Sequence, residues 1–417
     1  MYPPTVTTEP QSEKPGSPGT EPSGPVVGLK VAEFAHVIAG PLAGGLLADM
    51  GADVVHVEPP GVGDAARAIG PDKDGTHLWW KVSGRNKRSV TCDLRQPAGQ
   101  TLARRLVEWA DVVITTFRCE TLTSWGLDWP AVQAANPKAI MLQISGYGAN
   151  TSRANDPGFG KAGEARSGVV HLTGEPGGAP LHTAFSLGDT TAGLLGSWAV
   201  LAALWRRERD PDFQGEWIDL ALFEPLYRLI EWQIIAYDQV QSIPERLGNR
   251  MAFAPGGVQN TFQTADGEWL TVTSATAKSA QRIAILVDLP ADEFATQAQQ
   301  LARRQELDAG MRAWMAARTT DTALAELDEA GVVASKIFHA ADILDDQIYR
   351  ERGDVISVDD DDLGPVRMQA ALPHFLNQPG RIWRTGPKLG EDNELVYCEW
   401  LGLSRSELDE LRAANAV

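Results

Sequence analysis

The sequence predicts an α/β protein: a mostly parallel, doubly wound sheet with helices on both faces, followed by a smaller α/β domain. Three observations carry that prediction. Short apolar runs alternate with helix-patterned segments from Val27 to Ser145, the first βαβ unit is complete within about 30 residues, and a loop-rich stretch near Leu247 precedes a fresh set of strand and helix patterns. The length of 417 residues allows two or three domains of about 150 residues each. A composition of 43% hydrophobic and 22% charged residues is that of a globular chain and excludes a wholly disordered or collagen-like one.

The elements follow in order. Residues 1–25 are rich in Pro, Ser, Thr, Glu and Gly and bury too little apolar area to offset their ordering entropy, so they read as a disordered tail. Val27–Ala35 is a buried-strand pattern, Gly40-Pro-Leu-Ala-Gly-Gly-Leu-Leu-Ala-Asp-Met repeats small and apolar residues at helical spacing, and Asp53–Glu58 is a second strand. Pro97–Trp109 is helical, with Leu102, Leu106 and Val107 on one face, and Val112–Thr115 is a strand. Trp129–Asn136 leads to the strand Ala139–Ser145. A long helix runs from Asp189 to Arg206-Arg-Glu-Arg, whose basic residues suit the negative end of the helix dipole, and apolar stretches follow at Trp217–Phe223 and Leu226–Tyr237. Strands at Trp269–Thr273 and Ala334–Phe338 with helices at Ser279–Val287 and Ala323–Ala330 make the smaller domain, at about 245–350. Asp359–Asp362 reads as a solvated turn, and the last 40 residues are polar until the helix Ser404–Ala414.

Charge and cysteine usage narrow the function. A net charge of −18 repels nucleic acid and anionic membrane, so an anionic ligand needs a local basic site. The three cysteines, Cys92, Cys119 and Cys398, lack disulfide or zinc spacing, and the seven histidines form no metal-binding pair; no metal is expected. Without a long uninterrupted apolar run or a secretion-signal pattern, the expected location is the cytoplasm, with no membrane partner.

Three segments are chemical candidates. The first βα turn has glycines and is followed by Glu58, but Gly40-Pro-Leu-Ala-Gly-Gly is not a dinucleotide fingerprint, and close helix packing explains its small residues. Arg85-Asn-Lys-Arg88 is the densest cationic run and reads either as a solvated turn or as a phosphate site. Asp189 in Gly188-Asp-Thr-Thr-Ala-Gly193 opens a helix and reads either as an N-cap or as an ionised nucleophile beside room left by glycines. Ser145-Gly-Tyr-Gly is not the nucleophile elbow of an α/β-hydrolase.

Together these segments resemble the class III CoA-transferase family, which includes formyl-CoA and carnitine-CoA transferases and α-methylacyl-CoA racemases. The resemblance runs from about Gly28 to the C-terminus and is carried by GLKVAEFAHVIAGPLAGGLLADMGADVVHVEPPGVGD, NKRSVTCDL and GDTTAG. ADGEWLTV, GVVASKIF, ADILDD and GPKLGED support it. It implies a Rossmann-like large domain from 26–225 and 351–417, a linker at 226–244, a small domain at 245–350 inserted between the two parts, and an interlocked homodimer.

The resemblance further implies CoA transfer from an acyl-CoA thioester to a free carboxylic acid, with no permanently bound cofactor. Asp189 matches the nucleophile that passes through a mixed anhydride and an aspartyl-CoA thioester, and Gly256 and Gly257 match the glycine loop that stabilises developing oxyanion charge. Arg85 flanks Asn86, Lys87 and Arg88, which match the CoA-binding loop. His36, Val37 and Ala39 match the strip beside pantetheine and acyl group, and Phe117 matches a residue near the adenine. Asn155 stands where the racemases carry a histidine, and an amide cannot take a proton from carbon at neutral pH. Racemisation and non-catalytic CoA-ester binding are the alternatives. Ile38 replaces a polar glutamine, Gly160 an acidic residue and Ser124 a CoA-contacting arginine. These changes imply an acyl group larger or more apolar than oxalate, and phosphate contacts from Arg85, Arg118 or Lys161.

Overall fold

Six parallel strands build the central sheet: β1 (Lys30–Phe34), β2 (Asp53–Glu58), β3 (Lys87–Thr91), β4 (Val112–Thr115), β5 (Ile140–Ser145) and β6 (Glu216–Ala221). They pair in the order β3-β2-β1-β4-β5-β6, so the chain reverses its direction of travel across the sheet between β1 and β4. At such a switch point the loops leaving two adjacent strands diverge to opposite faces and open a crevice at the carboxyl ends. Here those loops begin at Ala35-His36 and Thr116-Phe117.

The computed structural model describes residues 21–251, 257–274 and 276–417. They group into two units, one made of the chain up to Gly163 with Phe185–Leu226 and Arg352–Val417, the other of Glu164–Ala184 with Tyr227–Glu351. In the first unit both faces of the sheet are covered, which is why β1, β2, β4 and β5 read as largely apolar runs rather than alternating ones. Val55, Val57, Val113 and Met141 pack under helix α2 (Pro97–Trp109), and the C-terminal residues Val396, Tyr397 and Leu408 join that core. Val31, Val54, Ile114 and Leu142 face helices α1 (Ala39–Asp49) and α3 (Leu187–Arg207). These two helices approach closely because Gly193 has no side chain: a Cβ there would lie 2.8 Å from the Ala39 carbonyl oxygen. The proline of α1, Pro41, falls within the first turn, where backbone N–H groups have no intrahelical partner to lose.

Helix α3 is long and apolar enough to cross a membrane by length and composition, with mean hydropathy 1.3. Its Ala192, Gly193, Gly196, Val200 and Ala203 are buried in the first unit. The opposite stripe, Leu194, Trp198, Leu201 and Trp205, is exposed, with the two tryptophans 65% and 63% accessible.

The second unit contains an antiparallel sheet of β7 (Gln259–Gln263), β8 (Trp269–Thr273) and β9 (Val333–Lys336) in the order β9-β8-β7. Helices α4 (Ala277–Leu286), α5 (Arg304–Ala316) and α6 (Thr320–Glu329) close its core over Phe262, Leu270, Ile283, Leu307 and Met311.

Two expectations of the C-terminal region change. Asp359–Asp362 is not a freely solvated turn: Asp360 ends strand β10 (Val355–Asp360), which pairs with β11 (Gly364–Gln369), and its buried carboxylate takes the Lys81 ammonium at 2.9 Å and the Thr385 hydroxyl. The polar-looking stretch before helix α7 (Arg405–Ala413) delivers Tyr397 into the core, where its hydroxyl donates to the Thr91 carbonyl at 2.8 Å.

Candidate active site

Helix α3 begins at Leu187, so Asp189 lies within its first turn rather than before it. The flanking Ser186 is the N-cap residue, and its side chain makes no capping hydrogen bond. Asp189 is therefore not the N-cap residue itself: its half-buried carboxylate sits in the first turn of the helix, where the dipole favours a negative charge. Its carboxylate packs directly on Gly160: a Cβ built there would fall 2.1 Å from Asp189 Oδ2 and 2.6 Å from Cγ. The absence of a side chain at 160, noted in the sequence as a departure, is what makes this placement possible.

A cavity of about 690 Å³ opens beside this turn. Val37, Ile38, Leu42 and Leu46 form one wall, Ile69, Trp79 and Val82 another, and Phe185, Ser186 and Thr190 bring the start of α3 to its edge. Ser186 and Thr190, three residues before Asp189 and one after, line the cavity, while Asp189 lies on the neighbouring face of the same turn. The wall is mostly apolar around Ile38. Its charged members, Asp49 and Arg85, are paired to each other at 2.6 Å.

The first βα turn carries most of the expected CoA-contact strip. His36 donates its backbone N–H to Thr116 Oγ1 at 3.2 Å, and its ring meets Phe117 edge-on with centroids 5.0 Å apart, so His36 and Phe117 are neighbours at the switch point. Burial, only partly opposed by the nearby Asp64 carboxylate, lowers the His36 pKa and favours the neutral imidazole. Ala39 is buried as the first residue of α1. Val37 has φ +69°, a left-handed conformation that costs an L-residue about 1–2 kcal/mol and is rare for a β-branched one.

The basic run is placed differently from the expectation of a phosphate-facing patch. Asn86, 2% exposed and at φ +60°, uses its amide nitrogen on Asp49 Oδ1 at 3.0 Å and the Arg381 carbonyl at 2.8 Å, while its oxygen accepts from Trp383 N at 2.9 Å. Lys87, 1% exposed, donates to Glu33 at 2.8 and 3.0 Å and to the Pro41 carbonyl at 2.6 Å. The side chains of Asn86 and Lys87 thus hold the loop and the helix above it, and both are buried against protein partners. Arg85 grips Asp49 and donates to the Gln369 carbonyl at 3.0 Å. Arg88 lies over Trp383 and Trp400; both guanidinium groups remain partly exposed.

Sequence reasoning missed a buried charge network under the turn. Glu33 on β1 accepts from Lys87 and lies 2.5 Å from His56 Nδ1, and His56 Nε2 is 3.3 Å from Asp64 Oδ2. Asp64 accepts from Val37 N at 3.0 and 3.1 Å and from Ala66 N at 2.8 Å. Glu58, the acid placed where a dinucleotide fold would bind ribose, is instead spent on Arg67 at 2.6 and 2.7 Å, on Ser89 Oγ and on Asp64 N. Burial works against every charge here and the pairing outweighs it. His56, against its desolvation, is raised to about 9 by its bonds to Asp64 and Glu33; Asp64 is held well below the usual carboxylate range chiefly by His56, and Glu33 is lowered by Lys87 and His56. A sign was available in the sequence: Glu33 and His56 interrupt otherwise apolar buried strands, and such interruptions need partners.

The remaining expected residues are placed as follows. Gly256 lies outside the described residues. Gly257 is at φ +74°, where a Cβ would come 2.2 Å from Ser274 Oγ, and the next residue, Val258, donates its N–H to that hydroxyl at 2.7 Å. Asn155 accepts the N–H of Glu120 on its amide oxygen at 3.0 Å, a structural role at the start of the helix Cys119–Trp125. Exposed Ser124 bonds to the Thr121 carbonyl at 2.8 Å, and Lys161 to the Phe185 carbonyl at 3.0 Å.

The family model for CoA-transferase family III matches residues 26–393, and the chain belongs to that family. It is 37% identical to the succinyl-CoA–D-citramalate CoA-transferase of Chloroflexus aurantiacus over 95% of this chain and 99% of that protein. It is 32% identical to the succinate–glutarate CoA-transferase of Agrobacterium fabrum over 92% and 97% of the two chains. The crystal structure of a CAIB/BAIF family protein from Brucella suis superposes with a TM-score of 0.80 at 31% identity, covering 90% of this chain and 99% of that one.

Proposed function

We propose that this protein transfers CoA from an acyl-CoA to a free carboxylic acid with Asp189 as the nucleophile. The observation that carries the reading is the half-buried carboxylate in the first turn of α3, seated on Gly160 beside a cavity edged by the same turn. An Asp189 oxygen attacks the thioester carbonyl carbon, the C–S bond breaks, and CoA leaves as thiolate from a mixed anhydride. The thiolate attacks the aspartyl carbonyl and releases the donor acid, leaving aspartyl-CoA. The acceptor carboxylate then displaces the thiolate to form a second anhydride, and the thiolate attacks the acceptor's acyl carbon, so that acyl-CoA departs and the carboxylate is restored. No net proton or electron is consumed.

CoA lies along the turn of His36, Val37 and Ala39 with adenine near Phe117, and Arg85, Arg88 and Arg118 are partly exposed cations available to its phosphates. The named substrates of the relatives suggest succinyl-CoA as donor and a small dicarboxylic acid as acceptor. Asn155 leaves α-proton exchange without its base, because a side-chain amide cannot take a proton from carbon at neutral pH. The working form is a homodimer, supported by the exposed apolar stripe of α3, which is larger than isolated surface hydrophobics explain. Incubation with succinyl-CoA followed by hydroxylamine tests the reading: it should convert Asp189 to the hydroxamate, detected by peptide mass spectrometry. A protein that transfers CoA with Asp189 unmodified overturns it.

A further inference from the structure

The strained turn and the buried network belong to one device. Asp64 receives the Val37 N–H on both oxygens, at 3.0 and 3.1 Å, and Lys87 donates to the Pro41 carbonyl at 2.6 Å. These two contacts bracket Ile38, and both trace back to Glu33, which holds Lys87 directly and Asp64 through His56. Lys87, Glu33, His56 and Asp64 have side chains no more than 1% exposed, so solvent screens none of these contacts, of which His56 Nε2 to Asp64 is an ion-pair approach at 3.3 Å rather than a hydrogen bond. A left-handed valine persists only where its surroundings over-determine it, and the segment so fixed is the wall of the cavity beside α3.

We propose that Asp64 is a positioning residue that clamps the Val37–Ile38 turn and so fixes the acyl group against the carboxylate of Asp189. The proposal rests on the reading of Asp189 given above for its functional half, whereas the clamp itself is independent of it. Asp64 touches no reacting atom. Its effect runs through the backbone of residue 37, which makes it distinguishable from a residue that only stabilises the fold. A glycine at 37 adopts φ near +70° without steric cost and needs no clamp.

The test compares Asp64→Asn, Asp64→Asn/Val37→Gly, Val37→Gly and wild type, with succinyl-CoA as donor and D-citramalate or glutarate as acceptor. Amide hydrogen exchange of the peptide spanning residues 37–42 is read in parallel. Asp64→Asn should lower kcat at least tenfold while KM for succinyl-CoA moves less than threefold, and should speed exchange of that peptide at least tenfold with the rest of the sheet unchanged. The double variant should recover a substantial part of kcat relative to Asp64→Asn. Asp64→Glu keeps the charge balance of the network while shifting the acceptor by one methylene, so it answers the question if Asp64→Asn does not fold, with the same split expected. Unchanged kcat and exchange in the Asp64 variants, or a kcat loss that Val37→Gly does not relieve at all, overturns the proposal. Asp189→Asn run alongside separates the two claims: full activity there defeats the nucleophile reading, and the exchange arm still decides the clamp.

Discussion

Substituting Gly160 by alanine places one methyl group where the Asp189 carboxylate now sits. The added Cβ would lie 2.1 Å from Oδ2, against an ordinary carbon–oxygen contact of about 3.4 Å, so the carboxylate must move by about 1 Å or rotate away. On the proposed mechanism an Asp189 oxygen must meet the thioester carbonyl carbon from above the carbonyl plane, and a displacement of that size costs on the order of a hundredfold in rate. Stability should hardly suffer: Gly160 begins the helix Gly160–Ser167, and alanine is the better helix former by up to about 1 kcal/mol. The assay is steady-state transfer from succinyl-CoA to a panel of dicarboxylic acids, with thermal unfolding as control. The expected result is a kcat about a hundredfold lower in a protein that melts within a few degrees of wild type. Wild-type kcat in Gly160→Ala would refute the reasoning, because the carboxylate could then be moved without consequence.

Three further outcomes follow from the same contacts. Lys87→Met leaves Glu33 with one of its cationic partners gone in a site closed to water, and should destabilise the protein by about 3–5 kcal/mol in denaturant unfolding; a change under 1 kcal/mol contradicts the buried pairing. His56 has its pKa raised from 6.5 to about 9 by Asp64 and Glu33, so its contribution, roughly 3 kcal/mol, is complete below pH 6.5 and is lost as pH rises through about 9. Unfolding free energy should fall across that window in wild type, and a slope that persists unchanged in His56→Gln speaks against it. Trp198→Glu puts a charge into the exposed stripe of α3 and should convert a dimer to monomer in light scattering at micromolar concentration; a wild-type monomer under those conditions removes the dimer from the account.

Most of the central sheet was legible because both of its faces are covered, which makes β1, β2, β4 and β5 largely apolar runs that need no partner to be noticed. Asp189 was legible as a helix-start carboxylate, but whether it caps the helix depends on where the first turn closes. The helix starts at Leu187, and Gly160, a residue 29 positions earlier, leaves the space the carboxylate occupies. The side chains of the run Arg85–Arg88 part company for a related reason. Four adjacent polar residues suggest one surface, yet Asn86 turns the chain at φ +60° and Lys87 enters β3, where the side chain meets Glu33 from a strand two places away. Asp64 lay in a glycine-punctuated loop with nothing local to mark it. Its importance comes from His56 and from the backbone of Val37, contacts that span 8 and 27 positions and exist only once β1 and β2 are paired.

The most direct test of Asp189 as nucleophile follows the oxygen atoms. With an acceptor acid labelled in its carboxylate with heavy oxygen, the mechanism moves one labelled oxygen onto Asp189 when the second anhydride is resolved, and a later turnover passes it to the released donor acid. Mass spectrometry of the peptide containing Asp189 should therefore show heavy oxygen after turnover. Efficient CoA transfer with that peptide unlabelled would contradict the account.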